Sequence, residues 1–102
     1  MSDAKRSGTQ AHELLDDAAR RAKAYLASLA ERPVGPRPEA VAGLAALDEP
    51  LPEAQRDPRE TLEVLDRVVG PATMAMAGPR FFGFVIGGAL PVSVAASWLA
   101  TA

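Results

Sequence analysis

From Phe81 to Ala102 the chain carries no charged residue, and this run limits the possible folds more than any other feature. It has no polar face to turn toward water. Soluble monomers avoid exposing large apolar patches, so such a run must be covered by the rest of the chain, by another chain or by a membrane. Gly87, Gly88 and Pro91 interrupt it. Phe81 to Ile86 is aromatic and β-branched, which predicts a short extended segment. Pro91 is a good helix opener, and Val92 to Ala102 is read as a helix that runs on past the last residue.

A transmembrane helix is one alternative for this run. Its length suffices to span a bilayer, Arg80 flanks it, and Gly83-x-x-x-Gly87 fits a helix-dimer face. Against it stand the glycine pair, Pro91, the hydroxyls of Ser93, Ser97 and Thr101, and alanine in place of leucine. The glycines at 83, 87 and 88 also invite a phosphate-loop reading. That pattern needs Lys-Ser or Lys-Thr after the last glycine, whereas Ala89-Leu90 follows Gly88; Val85 likewise occupies the second glycine position of the dinucleotide fingerprint. Close packing and turn geometry explain these glycines better.

Composition removes several classes of function. A net charge of −2 leaves no electrostatic footprint for nucleic acid. The absence of cysteine excludes a disulfide framework, a thiolate metal site and a cysteine nucleophile. One histidine, His12, gives an imidazole metal cluster or a Ser-His-Asp triad little to build on. The polar start shows no apolar core of a secretory signal, so the cytoplasm is the expected compartment.

Alanine is the commonest residue and aromatics are few, which favours helix over sheet. From about Gln10 to Glu31, Leu14, Ala18, Ala22, Tyr25 and Leu29 share one face, widened by Leu15 and Leu26. Asp16 precedes Arg20, and Asp17 precedes Arg21, by the favourable four residues. The first dozen residues are expected to fray, and Pro33 ends the helix. Pro33, Pro36, Pro38, Pro50, Pro52 and Pro58 punctuate the middle of the chain. A short helix over about Glu39 to Leu47 is expected there, with Val41, Leu44 and Leu47 on one side. Asp57 as cap, Pro58 at the first position and Glu60 in a capping-box place predict a second clear helix. Its face is Leu62, Leu65 and Val69 with Val68 in support, and Glu63 pairs with Arg67. Gly70-Pro71 stops or bends it, and Ala72 to Ala77 is read as one further turn.

The polar residues form no catalytic constellation. His12, Asp16-Asp17 and Asp48-Glu49 read as solvated surface, and Tyr25 and Trp98 as core or interface aromatics. Lys5 and Lys23 are the only lysines, and neither sits where a desolvated amine nucleophile would.

The block Gly78-Pro79-Arg80-Phe81-Phe82-Gly83-Phe84, followed by Ala89-Leu90-Pro91 and Ala95-Ala96-Ser97-Trp98-Leu99-Ala100, resembles the start of a pyridoxal-phosphate-dependent group II amino-acid decarboxylase. That family includes the aromatic-amino-acid, glutamate and histidine decarboxylases of the aspartate-aminotransferase superfamily. The order of a long helix, a Pro-rich link with a short helix, a second helix and then this block agrees. The resemblance covers the chain from about His12, and its specific part is Gly78 to Leu99.

The resemblance implies a homodimer whose N-terminal helices form a flap over the partner subunit, and a fold type I α/β parent. It implies a carboxy-lyase that converts an L-amino acid to an amine through an external aldimine. Phe84, Val85, Ile86 and Gly87 match the substrate-pocket positions. The family's Phe-Pro-Thr-like turn reads Val85-Ile86-Gly87 here, which argues against assuming an aromatic substrate. The cofactor lysine, the aspartate on the ring nitrogen and the other catalytic groups would lie beyond residue 102.

The chain is therefore read as a mostly α fragment of three helices plus a short extended segment, loosely packed and inactive alone. Residues 1–32 form the first flap helix, 33–56 the Pro-rich connector, 57–77 the second flap helix and turn, and 78–102 the start of the cofactor domain. A small tail-anchored membrane protein with a helical cytoplasmic head and a helical interaction module are the alternatives.

Overall fold

The computed structural model describes residues 3–83 and 90–102, and among them the chain is mostly helical with no strand. Helix α1 covers Asp3–Ser28, α2 covers Pro38–Gly43, α3 covers Pro58–Val64 and α4 covers Pro91–Thr101. A 3-10 turn, Leu44–Leu47, extends α2, while a π-helical turn, Leu65–Val69, and a 3-10 turn, Gly70–Ala72, extend α3.

Helix α1 starts seven residues before the expected Gln10 and stops at Ser28, three before Glu31. An apolar stripe cannot mark its first turns, because those turns carry none. Leu14, Ala18, Ala22 and Tyr25 are half-buried and Leu29 is buried, as the spacing predicts. Leu15 and Leu26 remain exposed, so the covered stripe is narrower than the apolar one.

Helix α3 begins as its sequence dictates. The Asp57 carboxylate accepts the Arg59 backbone N–H at 3.0 Å, and Pro58 takes the position that needs no donor. Its far end departs from the expected pattern. Pro71 lacks an N–H, and its ring would strike the Arg67 carbonyl of a regular α-helix. The chain widens ahead of it, and Gly70 N–H bonds to the Leu65 carbonyl five residues back. This wider turn shifts the register. Val68 is buried and Val69 half-buried, but Leu65 is 57% exposed instead of facing the core. The turn expected over Ala72 to Ala77 is also different: the 3-10 turn ends at Ala72, and the chain bends at Thr73.

Cross-contacts fix the direction of the helices. Glu13 pairs with Arg59, Arg21 with Asp66, and Tyr25 with Thr73, so residue numbers rise together along both partners. Helices α1 and α3 therefore run parallel. A parallel pair needs a long return connection, and Leu29 to Asp57 supplies it. Helix α2 packs against Gly70–Ala72 and Leu44–Leu47 against Leu65–Val69, so the connector descends antiparallel to α3. The Pro-rich segment is the crossover that makes the parallel pair possible.

Among the described residues the buried core is small: Leu29, Val68, Ala75 and Phe81. It sits where α1 and the α3 extension end. The accessible surface is 8059 Å², against about 5,500 Å² for a compact monomer of this mass. The radius of gyration is 16.3 Å, against about 13 Å for a compact chain of this length. Helix α4 adds to the excess. Val92 and Leu99 are exposed, and an apolar groove of about 630 Å³ lies between α4 and α1, lined by Leu14, Leu15, Ala18 and Trp98. Among the described residues no helix is long and apolar enough to cross a membrane.

Candidate functional site

Two parallel helices that stop side by side bring their unpaired C-terminal carbonyls, and the negative ends of their dipoles, to one place. Cations belong there, and the sequence supplies two. The Arg32 guanidinium donates to the carbonyls of Gly70 at 3.2 Å, Pro71 at 3.2 Å and Thr73 at 2.7 Å. It also stacks over the Tyr25 ring, 5.4 Å from its centre. Arg80 donates to the carbonyls of Ala30, at 3.1 Å, and Arg32 in the turn just beyond α1. Each arginine thus closes a helix end that lies far from it in sequence.

A hydroxyl pair completes this joint. Thr73 Oγ1 donates to the Gly70 carbonyl at 2.7 Å, which uses its only proton. The 2.8 Å bond between the Tyr25 and Thr73 hydroxyls therefore has Tyr25 as donor. Both oxygens are engaged in structure and, among the described residues, neither bonds to a base, so the pair is a fastening.

The Gly78-Pro79-Arg80-Phe81 block is bolted to the same joint. Ala75 N–H bonds to the Val34 carbonyl at 2.9 Å, which brings the chain back across the connector. At Gly78 a Cβ would lie 3.2 Å from both the Ala75 and Leu29 carbonyl oxygens, so glycine lets the chain approach closely without displacing either. Phe81 is buried and its neighbour Phe82 is 89% exposed. Phe81 through Gly83 carries no regular structure, and Phe84, Val85, Ile86 and Gly87, the expected pocket residues, lie outside the described residues.

The opposite half of the α1–α3 seam is ionic. Asp17 accepts from Arg21 Nε at 2.8 Å, and Arg21 Nη1 reaches Asp66 at 2.9 Å. Arg20 also turns to Asp17, although Asp16 stood at the better helical spacing. The Arg21 bond holds the Asp17 carboxyl below its ordinary value, against the opposing effect of desolvation. Asp17 and Asp66 together hold the Arg21 guanidinium charged. Asp17 is thus a structural partner and not the solvated acid its sequence context suggested. Glu63 does pair with Arg67, at 2.7 Å.

The remaining candidates stay apart. His12 is exposed on α1, Asp48 and Glu49 are exposed on the connector, and Trp98 is 38% exposed on α4. Among the described residues no group of three His, Asp or Glu could hold a metal ion. A lysine that carries pyridoxal phosphate must be desolvated, yet Lys23 is exposed and no buried polar or charged side chain occurs among the described residues. The described residues do not fit the cofactor.

Sequence reasoning passed over Arg32 and Arg80. A signal existed for the first: an arginine just before the proline that ends a helix sits where orphan carbonyls gather. Comparison with protein-family models, with curated proteins and with solved structures returned no match.

Proposed function

We propose that the chain is the amino-terminal part of a cytoplasmic, pyridoxal-phosphate-dependent carboxy-lyase that converts an L-amino acid to its amine as a homodimer. The helices up to Ala77 act as a flap on the partner subunit, and the Gly78 block leads into the cofactor domain, with Phe84, Val85, Ile86 and Gly87 at the substrate pocket. The observation that carries this reading is the fastening of the Gly78–Phe81 block to the shared end of α1 and α3. A rigid polar joint there would aim the following residues, while the open apolar faces of α1 and α4 await cover from the larger assembly.

In this reading the chain's own residues position and enclose. Arg32, Arg80 and the Tyr25–Thr73 pair hold the entry segment, and Phe81 anchors it. In this reading the catalytic and cofactor-holding groups belong to the part of the enzyme beyond Ala102. The chain by itself turns over nothing.

The test is the coding DNA beyond the Ala102 codon together with an assay of its product. The reading expects an open frame with a Ser/Asn-x-x-Lys-like motif, and release of carbon dioxide and amine in equal amounts from an L-amino acid. A frame that closes at Ala102, or a full product that releases no carbon dioxide from any common L-amino acid, sinks it. Bound-cofactor absorbance in the 102-residue chain alone would also contradict it.

A further inference from the structure

The most exposed large apolar side chain of the described residues is Leu51, at 92%. It stands between Pro50 and Pro52 in a stretch where every residue from Asp48 to Asp57 is exposed. The two prolines hold the backbone on either side of it, so little ordering remains to be lost on binding. Asp48, Glu49, Glu53 and Asp57 surround it, against the single guanidinium of Arg56, which pairs with Glu49 at 2.9 Å. A stiff, acidic segment with one projecting leucine has the form of a docking peptide.

The same chain holds an open groove. A groove of about 270 Å³ lies among Pro33, Gly35, Pro36, Ala40 and Pro71, with Arg32 and Arg37 beside it. Arg32 is tied into carbonyls that fix the groove's shape. Arg37 is exposed, and no carboxylate of the described residues pairs with it. Cavities of about 150 Å³ already take a benzene-sized apolar group, so the groove has room for a leucine side chain.

The two features lie at opposite ends of the parallel helix pair. The groove adjoins the C-terminal end of α1 and the α3 extension, whereas the Leu51 segment leads into the start of α3. Leu44–Leu47, packed on Leu65–Val69, holds them apart within one chain. A two-fold axis perpendicular to the helices would instead bring each end of one copy against the other end of a second, making both contacts at once. We propose that Asp48–Asp57 docks on a second copy of this chain, with Leu51 in the Pro33–Pro36–Ala40 groove and its acidic flanks beside Arg37. The contact rests on the homodimer of the proposed function and names one surface between its copies; it can fail while the full product still releases carbon dioxide.

The absence of cysteine makes the test clean. Ala54→Cys and Ala40→Cys, both with Leu51 intact, are prepared in copies of different mass, mixed, and joined with a short bismaleimide. The proposal expects a mixed-mass product between the two variants, reduced about fivefold when Arg37→Glu is added to the Ala40→Cys copy. Adding Glu49→Arg with Glu53→Arg to the Ala54→Cys copy then restores the product. Absence of the mixed product, insensitivity to Arg37→Glu, or equal joining of Ala54→Cys to a control Ala100→Cys overturns the proposal. Closure within one chain of the Ala54→Cys/Ala40→Cys double variant at high dilution overturns it as well.

Discussion

Replacing Arg32 with methionine keeps the length of the side chain and removes its five donors. Three carbonyl bonds and the Tyr25 stack disappear together. The 2.7 Å bond to Thr73 is charge-assisted and contributes about 1.5 kcal/mol, the two at 3.2 Å contribute less, and the freed carbonyls regain some water. Stacking at a half-exposed site adds about 0.5–1 kcal/mol. The expected loss is about 2–3 kcal/mol, most of it at the shared helix end. Hydrogen exchange reads this locally, because Thr73 and Ala75 N–H lie inside the fastening. Their exchange should accelerate about 30- to 150-fold in Arg32→Met. Arg32→Lys should recover less than half of that, since one ammonium cannot serve three spread carbonyls. Denaturant unfolding followed by circular dichroism gives the global figure. A shift below about 0.5 kcal/mol, with exchange at Thr73 and Ala75 unchanged, would refute the claim that Arg32 holds the two helix ends together.

Other expectations concern different parts of the molecule. Gly78→Ala should lower unfolding stability by about 1–3 kcal/mol, because its Cβ meets the Ala75 and Leu29 backbone carbonyls at 3.2 Å and one of them must give way. Leu29→Ala should cost about 2–4 kcal/mol, whereas Leu51→Ala should stay within about 0.5 kcal/mol in the same denaturant titration. The pH dependence follows from Asp17, whose folded-state value lies below its ordinary one. Its contribution is therefore complete above the ordinary carboxylate range and is lost as pH falls through the lowered value. A titration of stability by circular dichroism should show an acid limb at the α1–α3 seam that shrinks in Asp17→Asn, and an unchanged limb would remove Asp17 from that seam.

Much of the helical plan could be read from the residues. Five positions from Leu14 to Leu29 at helical spacing form the covered stripe, Asp57-Pro58 opens α3, and Pro91 opens α4. These features are local, and each depends on a few neighbouring side chains. Leu65 was misplaced because the apolar period assumes an unbroken α-helix, and Pro71, six residues later, changes the turn that carries it. The start of α1 escaped because its first turns carry no apolar stripe. Helix direction is not local at all. The sequence shows two stripes and a long Pro-rich link, and only the pairs Glu13–Arg59, Arg21–Asp66 and Tyr25–Thr73 reveal that the stripes lie parallel. Arg32 and Arg80 matter only once that direction is known, since an antiparallel pair would not gather its carbonyls at one end. The expected pocket at Phe84 to Gly87 lies outside the described residues.

The parallel pairing of α1 and α3 is the claim on which the fastening, the crossover and the placement of the Gly78 block all depend. Pulsed electron resonance between spin labels on paired cysteines tests it directly. Label pairs at His12 with Glu60 and at Lys23 with Glu60 differ by eleven residues along α1, or about 16 Å of helix. The account predicts the shorter distance for His12 with Glu60 and a clearly longer one for Lys23 with Glu60. The reverse order, or equal distances, would contradict it.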